Sequence, residues 1–416
     1  MPTPIALQGI RGTGDWGTDE RPKDFREGIL FLNPNGDTPL QGFLGKLKSE
    51  SLTDPEFAWW EEELRPVQLK VQGAIANGTI QSITVVAGGI GDESTGAFSC
   101  AVGDLFMVQT STGVVTGEYL EITAAPTTDT GITVARGAAG STAAAIADGA
   151  ILTCVGSVFA EGTGAPNATS QNPTKVKNFA QIFKTAYELT NTADNTEART
   201  GPALQNDKKR QMFKHASKLE LAYLFGRAYE TIGPNNKPKR YTGGLFNFLA
   251  NQTKTFGKNG VATGAAVWNE DNFLDWVAQC FNYTADGVGN ERIVLCGNGA
   301  LNALNKLAKN GSNTRINYDG IVSFYGMELQ RWVLPQGVLY FKSHPLFNIN
   351  PVYQYAMLGL NISGLKDRYL RKHTFKDNIQ LPDSDTKKGQ WIGETGLEVH
   401  FPKTHFIMLN CGGVLS

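Results

Sequence analysis

VARGAAGSTAAAIADGAILTCVG, residues Val134 to Gly156, places a run of glycine and alanine between two apolar segments. A flexible linker and a folded module imply different organisations for the whole chain. Ile132 and Val134 before the run, and Ile151 and Val155 after it, have the spacing of inward-facing strand positions, and Asp148-Gly149 is a turn pair. The stretch therefore reads as strand, tight connection over Gly137 to Ala147, and returning strand. The small residues of the connection suit close packing against a neighbour.

The surroundings extend this reading. Between residues 77 and 156, TIQSITVV, GDLFMVQT, EYLEITAA, GITVARG and AILTCVG are short strand-like runs separated by glycine, aspartate and threonine turns. Five strands in about eighty residues suggest a small barrel. On its flanks, RPVQLKVQGAI and NFAQIFKTAYELT alternate apolar and polar residues and are expected to pair as a long two-stranded ribbon. Just before them, DPEFAWWEEELRP predicts a short helix, with Asp54 as N-cap, Pro55 in the first turn, and Phe57, Trp60 and Leu64 on one face. The first fifty residues, rich in glycine, proline and charge, read as an extended arm.

Three stronger helices follow. One runs from about Pro202 to Tyr229 with a Met212, Ala216, Leu219, Tyr223 stripe. WNEDNFLDWVAQCFNY is capped by Asn269 and buries Phe273, Trp276, Val277, Cys280 and Phe281. The third, GNGALNALNKLAKNG, stripes Leu301, Leu304 and Ala308 and closes at Asn310-Gly311. RIVLCG, ELQRWV, VLYFK, VYQYAML, QWIGET, GLEVHF and THFIMLN are strand-like, making the second half a mixed α+β body.

Composition narrows the function classes. The 416 residues carry 38 Lys plus Arg against 39 Asp plus Glu, a net charge of −1, so there is no general basic field for tight nucleic-acid binding. No signal-peptide pattern and no membrane-length apolar run occurs, which reads as a soluble, cytosolically made protein with no membrane partner. Cys100, Cys154, Cys280, Cys296 and Cys411 lie far apart and read as buried free thiols.

The sequence offers no catalytic constellation and implies no cofactor. GTGDWG, Gly12 to Gly17, matches a dinucleotide fingerprint, but no apolar strand precedes it and no helix pattern follows. Glu61, Glu62 and Glu63 beside Trp59 and Trp60 resemble a glycosidase pair only superficially, because consecutive helical residues point about 100° apart. The five histidines are too scattered for a metal site, and no nucleophile–base signature occurs.

The order of elements, together with WWEEELRPVQLKVQGAI, GEYLEITA, ITVARGAAGSTAAAIADGAILTCVGSVFAEG, NFAQIFKTAYELTNTA, ELAYLFGRAYE, YTGGLFNFL, DRYLRKHTFKD, KKGQWIGETGLEVHF and THFIMLN, resembles the major capsid proteins of tailed bacteriophages with the Hong Kong 97 fold. The similarity spans roughly Glu56 to Asn410 and is to the branch with a β-barrel inserted in the extended loop.

The fold class implied is α+β, a Hong Kong 97-type capsid fold with N-arm, extended loop, spine helix, peripheral and axial domains, and a small all-β barrel insertion. The resemblance places the arm at residues 1–53, the extended loop at 54–76 and 157–200, and the barrel at 77–156. It places the spine helix and peripheral domain at 201–241 (the helix itself at 202–231), a mainly axial domain at 242–365, and returning peripheral strands at 366–416.

It further implies a non-enzymatic shell protein that assembles with itself into hexamers and pentamers around double-stranded DNA, without sequence-specific binding. Trp59, Arg65, Lys70, Lys175, Lys177, Phe179 and Phe183 are the candidate inter-subunit contacts. A separate scaffolding protein, a portal and a decoration protein are the expected partners, and the shell is expected to be non-covalent. Alternatives are another virion component, such as a decoration or tail-tube protein, or a carbohydrate-binding protein or glycosidase.

Overall fold

The structure, a computed structural model, describes residues 39–45, 49–62, 67–76, 78, 81–87, 96–165, 173–198, 200–257, 266–283, 289–310, 318–324 and 327–413. Residues 1–38 and 46–48 of the expected arm (1–53), including its Gly12–Gly17 motif, and Arg65 lie outside them. The chain divides into two compact units, Trp60–Val176 and the remainder.

The first unit is a barrel of six strands rather than five. Around the sheet the order is Gln68–Lys70, Ile151–Ser157, Asp104–Gln109, Val115–Thr128, Gly131–Arg136 and Ser82–Thr84. An antiparallel Val71–Val85 bridge joins the two edge strands, with Gln72 N–H donating to Thr84 O at 2.9 Å and Val86 N–H to Lys70 O at 2.8 Å. The sheet thus returns to its start and leaves no open edge there. Leu69, Ile83, Phe106, Leu120, Ile122, Ile132 and Leu152 fill the interior, each such burial stabilising by roughly 1.5–3 kcal/mol.

The sixth strand corrects the expected ribbon. Gln68–Lys70 pairs with Ile151–Thr153 of the barrel, and Gln181–Thr190 pairs with Thr386–Val399 of the second unit. Alternation marks a stretch as a half-buried strand but does not name its partner. Val134 to Gly156 does fold as strand, connection, strand, and Ile132 and Val134 are buried. In the returning strand the inward residue is Leu152, whereas Val155 is 48% exposed. Alternation explains the difference: Ala150 and Leu152 point inward, so Val155, an odd number of positions away, points outward, and a bulge that sets Leu105 opposite Gly156 and Phe106 opposite Cys154 leaves it without a partner. Gly137 and Gly149 take φ of +69° and +76°, conformations open to glycine at little cost.

The expected helix over DPEFAWWEEELRP is a strand, Glu56–Glu61, whose Phe57 and Trp59 are buried while Ala58 and Trp60 are exposed. Asp54 does use its side chain on a backbone N–H, but that of Glu56 at 2.8 Å, which makes an Asx turn instead of a helix cap. This strand pairs with Thr174–Phe179 in the ribbon that the chain actually forms.

The second unit holds a seven-stranded sheet in the order Thr253–Thr255, Phe406–Leu409, Met357–Leu360, Glu291–Cys296, Val338–Ser343, Met327–Val333, Tyr318–Phe324. Ile293 to Cys296 are continuously apolar because both faces of their strand are covered. Ile293 and Leu295 enter one core with Leu358, Leu360 and Ile407, while Val294 and Cys296 enter another with Phe341, Met357 and Phe406. The helices Glu270–Gln279 and Asn298–Asn310 supply Phe273, Val277, Ala300 and Leu304 to the second core. As expected, the Asn269 side chain caps the first of them, accepting from Asn272 N–H at 2.8 Å.

A four-stranded sheet, Glu50–Ser51, Leu365–Lys376, Thr386–Val399, Gln181–Thr190, completes this unit. QWIGET and GLEVHF, expected as separate strands, are one strand of 14 residues. The long helix runs Ala203–Phe225 and adds Leu219, Tyr223 and Leu224 to the first core. Met212, placed on its apolar stripe, is 62% exposed. Gly226 ends the helix where a Cβ would stand 2.3 Å from Thr242 O.

Candidate assembly surface

Asn178, near the end of the ribbon strand Thr174–Phe179, is fully buried and bonded on both sides of its amide. Its Nδ2 donates to Leu397 O at 2.6 Å and Gly243 O at 3.1 Å, and its Oδ1 accepts from Gly243 N–H at 2.6 Å and Phe179 N–H at 2.8 Å. One side chain thereby ties the ribbon base to the loop after the strand Pro238–Tyr241 and to Thr386–Val399. Ala180 N–H adds a bond to Pro55 O at 2.8 Å.

The candidate contact residues separate by burial. Trp59 is 8% exposed and packs against Phe57, Phe248 and His400, with ring centroids 5.8–6.2 Å away. Phe179 and Phe183 are buried as well, and Phe183 joins the first core. These three rings hold their own subunit together. Lys70, Lys175 and Lys177 are exposed. Lys177 pairs with Glu56 at 3.4 Å and lies over the Phe179 ring, and Lys175 lies over the ring of Trp60. Trp60 is itself 64% exposed, so on this strand the aromatic ring open to a partner is the neighbour of the one expected.

Beyond the ribbon, a cavity of about 310 Å³ opens between Gln181–Thr185 and the long helix, lined there by His215 and Lys218. His215 Nδ1 lies 3.2 Å from Thr185 Oγ1, and its Nε2 lies 3.0 Å from His373 Nδ1. Burial, and then the Lys218 charge, lower the His215 pKa, which keeps the imidazole neutral at neutral pH.

Several buried polar anchors escape sequence inspection. Glu220 accepts from Leu40 N–H at 2.9 Å and lies 3.0 Å from His344 Nε2, which fastens the short helix Pro39–Leu44 to the long one. Arg292, 1% exposed, donates to the carbonyls of Thr404, Gly289, Glu291 and Cys280 at 2.7–3.1 Å. Desolvation lowers its pKa, and the four carbonyls offset that cost. A charged or amide residue inside an apolar pattern is the available signal, but it does not reveal the partners.

Reactive chemistry has little support at these positions. Burial pushes the Cys100 and Cys280 thiols up to about 12, away from the thiolate that nucleophilic attack needs. Among the described residues, no three His, Cys, Asp or Glu side chains are grouped to hold a metal ion. No described helix is long and apolar enough to cross a membrane.

The sequence is similar to a major capsid protein of Pseudomonas phage PaMx41, 28% identical over 262 residues that cover 62% of this chain and 61% of that protein. The match thus spans less than two thirds of the relative's length. Among solved structures, one from Mycobacterium phage Bobi has a TM-score of 0.43 at 10% identity, covering 94% of this chain and 96% of its own. The capsid of a native GTA particle has a TM-score of 0.43 at 10% identity, covering 95% and 97%. The model of the SU10 major capsid protein family matches residues 9–412. Spanning nearly the whole sequence, that match shows that the chain belongs to the SU10 major capsid protein family.

Proposed function

We propose that this chain is the repeating subunit of an icosahedral phage shell that encloses double-stranded DNA, assembling into hexamers and pentamers. The observation that carries the reading is the ribbon of Glu56–Glu61 and Thr174–Phe179, a two-stranded sheet outside every larger one, with Trp60 exposed on it. Two isolated strands are marginal in water, so a ribbon of this kind gains stability by lying on an adjacent subunit. Obligate contacts of this sort bury thousands of Å².

In this reading residues 1–53 are the arm, 54–76 and 157–200 the extended loop, and 77–156 the inserted barrel, whose strand Gln68–Lys70 comes from the loop side of that boundary. Residues 201–241 are the spine helix and adjoining peripheral domain, 242–365 mainly the axial domain, and 366–416 the returning strands. The inter-subunit contacts centre on Trp60, Lys70, Lys175 and Lys177, with Arg65 between them in sequence. The shell is non-covalent, is built in the host cytoplasm on a separate scaffolding protein, and meets a portal and a decoration protein. Its role is structural, not enzymatic.

Electron microscopy of the purified chain, alone and with scaffolding protein, tests the reading. Closed shells or hexameric sheets are expected, and a monomer that never assembles overturns it. Ladders of linked subunits on a denaturing gel of mature particles would overturn the non-covalent shell alone.

A further inference from the structure

The long helix departs from the near-neutral balance of the chain, with Lys208, Lys209, Arg210, Lys214 and Lys218 against Asp207 and Glu220. Of the two acids, Asp207 is held by Arg210 at 3.0 Å and Glu220 is buried against His344. Lys208 is engaged by Asp377 at 3.1 Å. Lys214 and Lys218 are exposed one turn apart, and Lys218 borders the 310 Å³ cavity together with exposed Lys184. Among the described residues, neither Lys184, Lys214 nor Lys218 forms an ion pair with a carboxylate. The floor of the cavity adds the Thr185 hydroxyl and neutral His215.

We propose that Lys184, Lys214 and Lys218 form a phosphate-binding patch through which the subunit holds the backbone of enclosed double-stranded DNA. The inference rests on the reading of the chain as a DNA-enclosing shell and assigns the surface that meets the DNA. Four helical residues rise about 6 Å, comparable with the separation of neighbouring phosphates on one strand, which exceeds the axial rise of roughly 3.4 Å because the backbone also winds around the duplex. Lys214 and Lys218 therefore match adjacent phosphates, and Lys184 supplies a third cation across the cavity. No polar group of this patch is set to read a base, so the contact is independent of sequence. Three cations per subunit give a contact that salt weakens steeply, which suits DNA that must later leave.

The test is binding of the full-length unassembled chain to a random-sequence DNA duplex over a salt series, compared with K184Q/K214Q/K218Q and K184R/K214R/K218R. Each lost phosphate contact lowers the slope of log K against log salt by about 0.9. The glutamine variant is expected to have a slope shallower by about 2.7, and the arginine variant to keep the original slope. In DNA-filled particles the three lysines are expected to resist acetylation relative to empty ones. An unchanged slope in the glutamine variant, or equal acetylation of full and empty particles, overturns the patch. Loss of polyglutamate binding with DNA binding unchanged also overturns it, in favour of an acidic protein partner. Micrographs keep the two readings apart, because shells formed by the glutamine variant leave the shell reading standing whatever the slope. Failure of the unsubstituted chain to assemble defeats that reading instead.

Discussion

Glu118 and Arg136 face each other inside the barrel as a two-pronged ion pair, Nε to Oε1 at 2.5 Å and Nη2 to Oε2 at 2.9 Å, with side chains 1% and 2% exposed. The same carboxylate accepts from Ala144 N–H at 3.1 Å, and Arg136 also donates to Ala144 O. The pair therefore pins the glycine and alanine connection to the strands Val115–Thr128 and Gly131–Arg136.

Breaking one side of that pair leaves a buried charge without its counter-ion. Glu118→Gln is expected to destabilise the barrel by about 3–5 kcal/mol, whereas Glu118→Leu with Arg136→Met costs much less. Hydrogen exchange of the strands Val115–Thr128 and Gly131–Arg136 in the intact chain measures both. Equal losses in the two variants would contradict the account.

Ala143 is expected to resist enlargement for reasons inside the subunit. A Cβ on Gly78 would stand 2.4 Å from the Cβ of Ala143, so the two backbones are already in close approach. Ala143→Gln should lower barrel stability by about 1–3 kcal/mol through overpacking, visible as earlier thermal unfolding of unassembled protein. A defect confined to assembly would instead place the packing partner on a neighbouring subunit.

Asn178→Ala removes both halves of the amide that joins the ribbon base to Gly243 and Leu397. Leaving buried N–H and C=O groups unpaired costs about 1–3 kcal/mol for each group, so a loss of about 3 kcal/mol or more is expected in chemical denaturation. Asn178→Asp should do no better, because its carboxylate cannot donate to the two carbonyls.

Trp59 and Trp60 are expected to differ sharply. Trp59→Ala empties a buried ring site and should cost about 3–5 kcal/mol. Trp60→Ala, at a ring 64% exposed with Lys175 above it, should cost under about 1 kcal/mol in the unassembled chain while lowering the yield of shells. Thermal unfolding and particle counts separate the two effects.

His405 imposes an acid limit. It is fully buried, its Nδ1 accepts from Asn361 N–H at 3.1 Å, and its Nε2 donates to His400 O at 3.1 Å, so the fold needs the neutral ring. Burial, followed by the Arg292 and His400 charges, lowers its pKa to about 4, against 6.5 for a free histidine. The unfolded chain therefore binds the proton first. The stability due to His405 is fully present above pH 6.5 and declines toward pH 4, by no more than about 3 kcal/mol. Denaturation midpoints between those pH values check this, and His405→Gln should flatten the slope.

The legible parts of the chain were those in which local chemistry decides. Asn269 names a helix start because its side chain can reach an N–H three residues on, and Ile293 to Cys296 name a strand because four apolar residues, two of them β-branched, stand in a row. Glu56–Glu61 was misread because one Asp-Pro pair serves an Asx turn as well as a helix cap, and Phe57 and Trp59 suit a period of two. At the candidate surface the structure decides only exposure: Lys70, Lys175 and Lys177 are exposed, whereas Trp59 is buried and Trp60, one strand position away and so on the opposite face, is exposed.

By itself the sequence determined which stretches are helix, strand or turn over most of the second half, that residues 77–156 make a small β module, and the family to which the chain belongs. The first two depend on side-chain periodicity within a few residues, whereas the family follows from the resemblance of many short stretches in one order along the chain. Only the tertiary structure decided that Gln68–Lys70 closes the barrel, that Gln181–Thr190 lies beside Thr386–Val399, and that Glu118, Asn178, Glu220 and Arg292 are buried with partners far along the chain. Strand pairing and buried polar contacts join residues tens to hundreds of positions apart, and no local period specifies the partner.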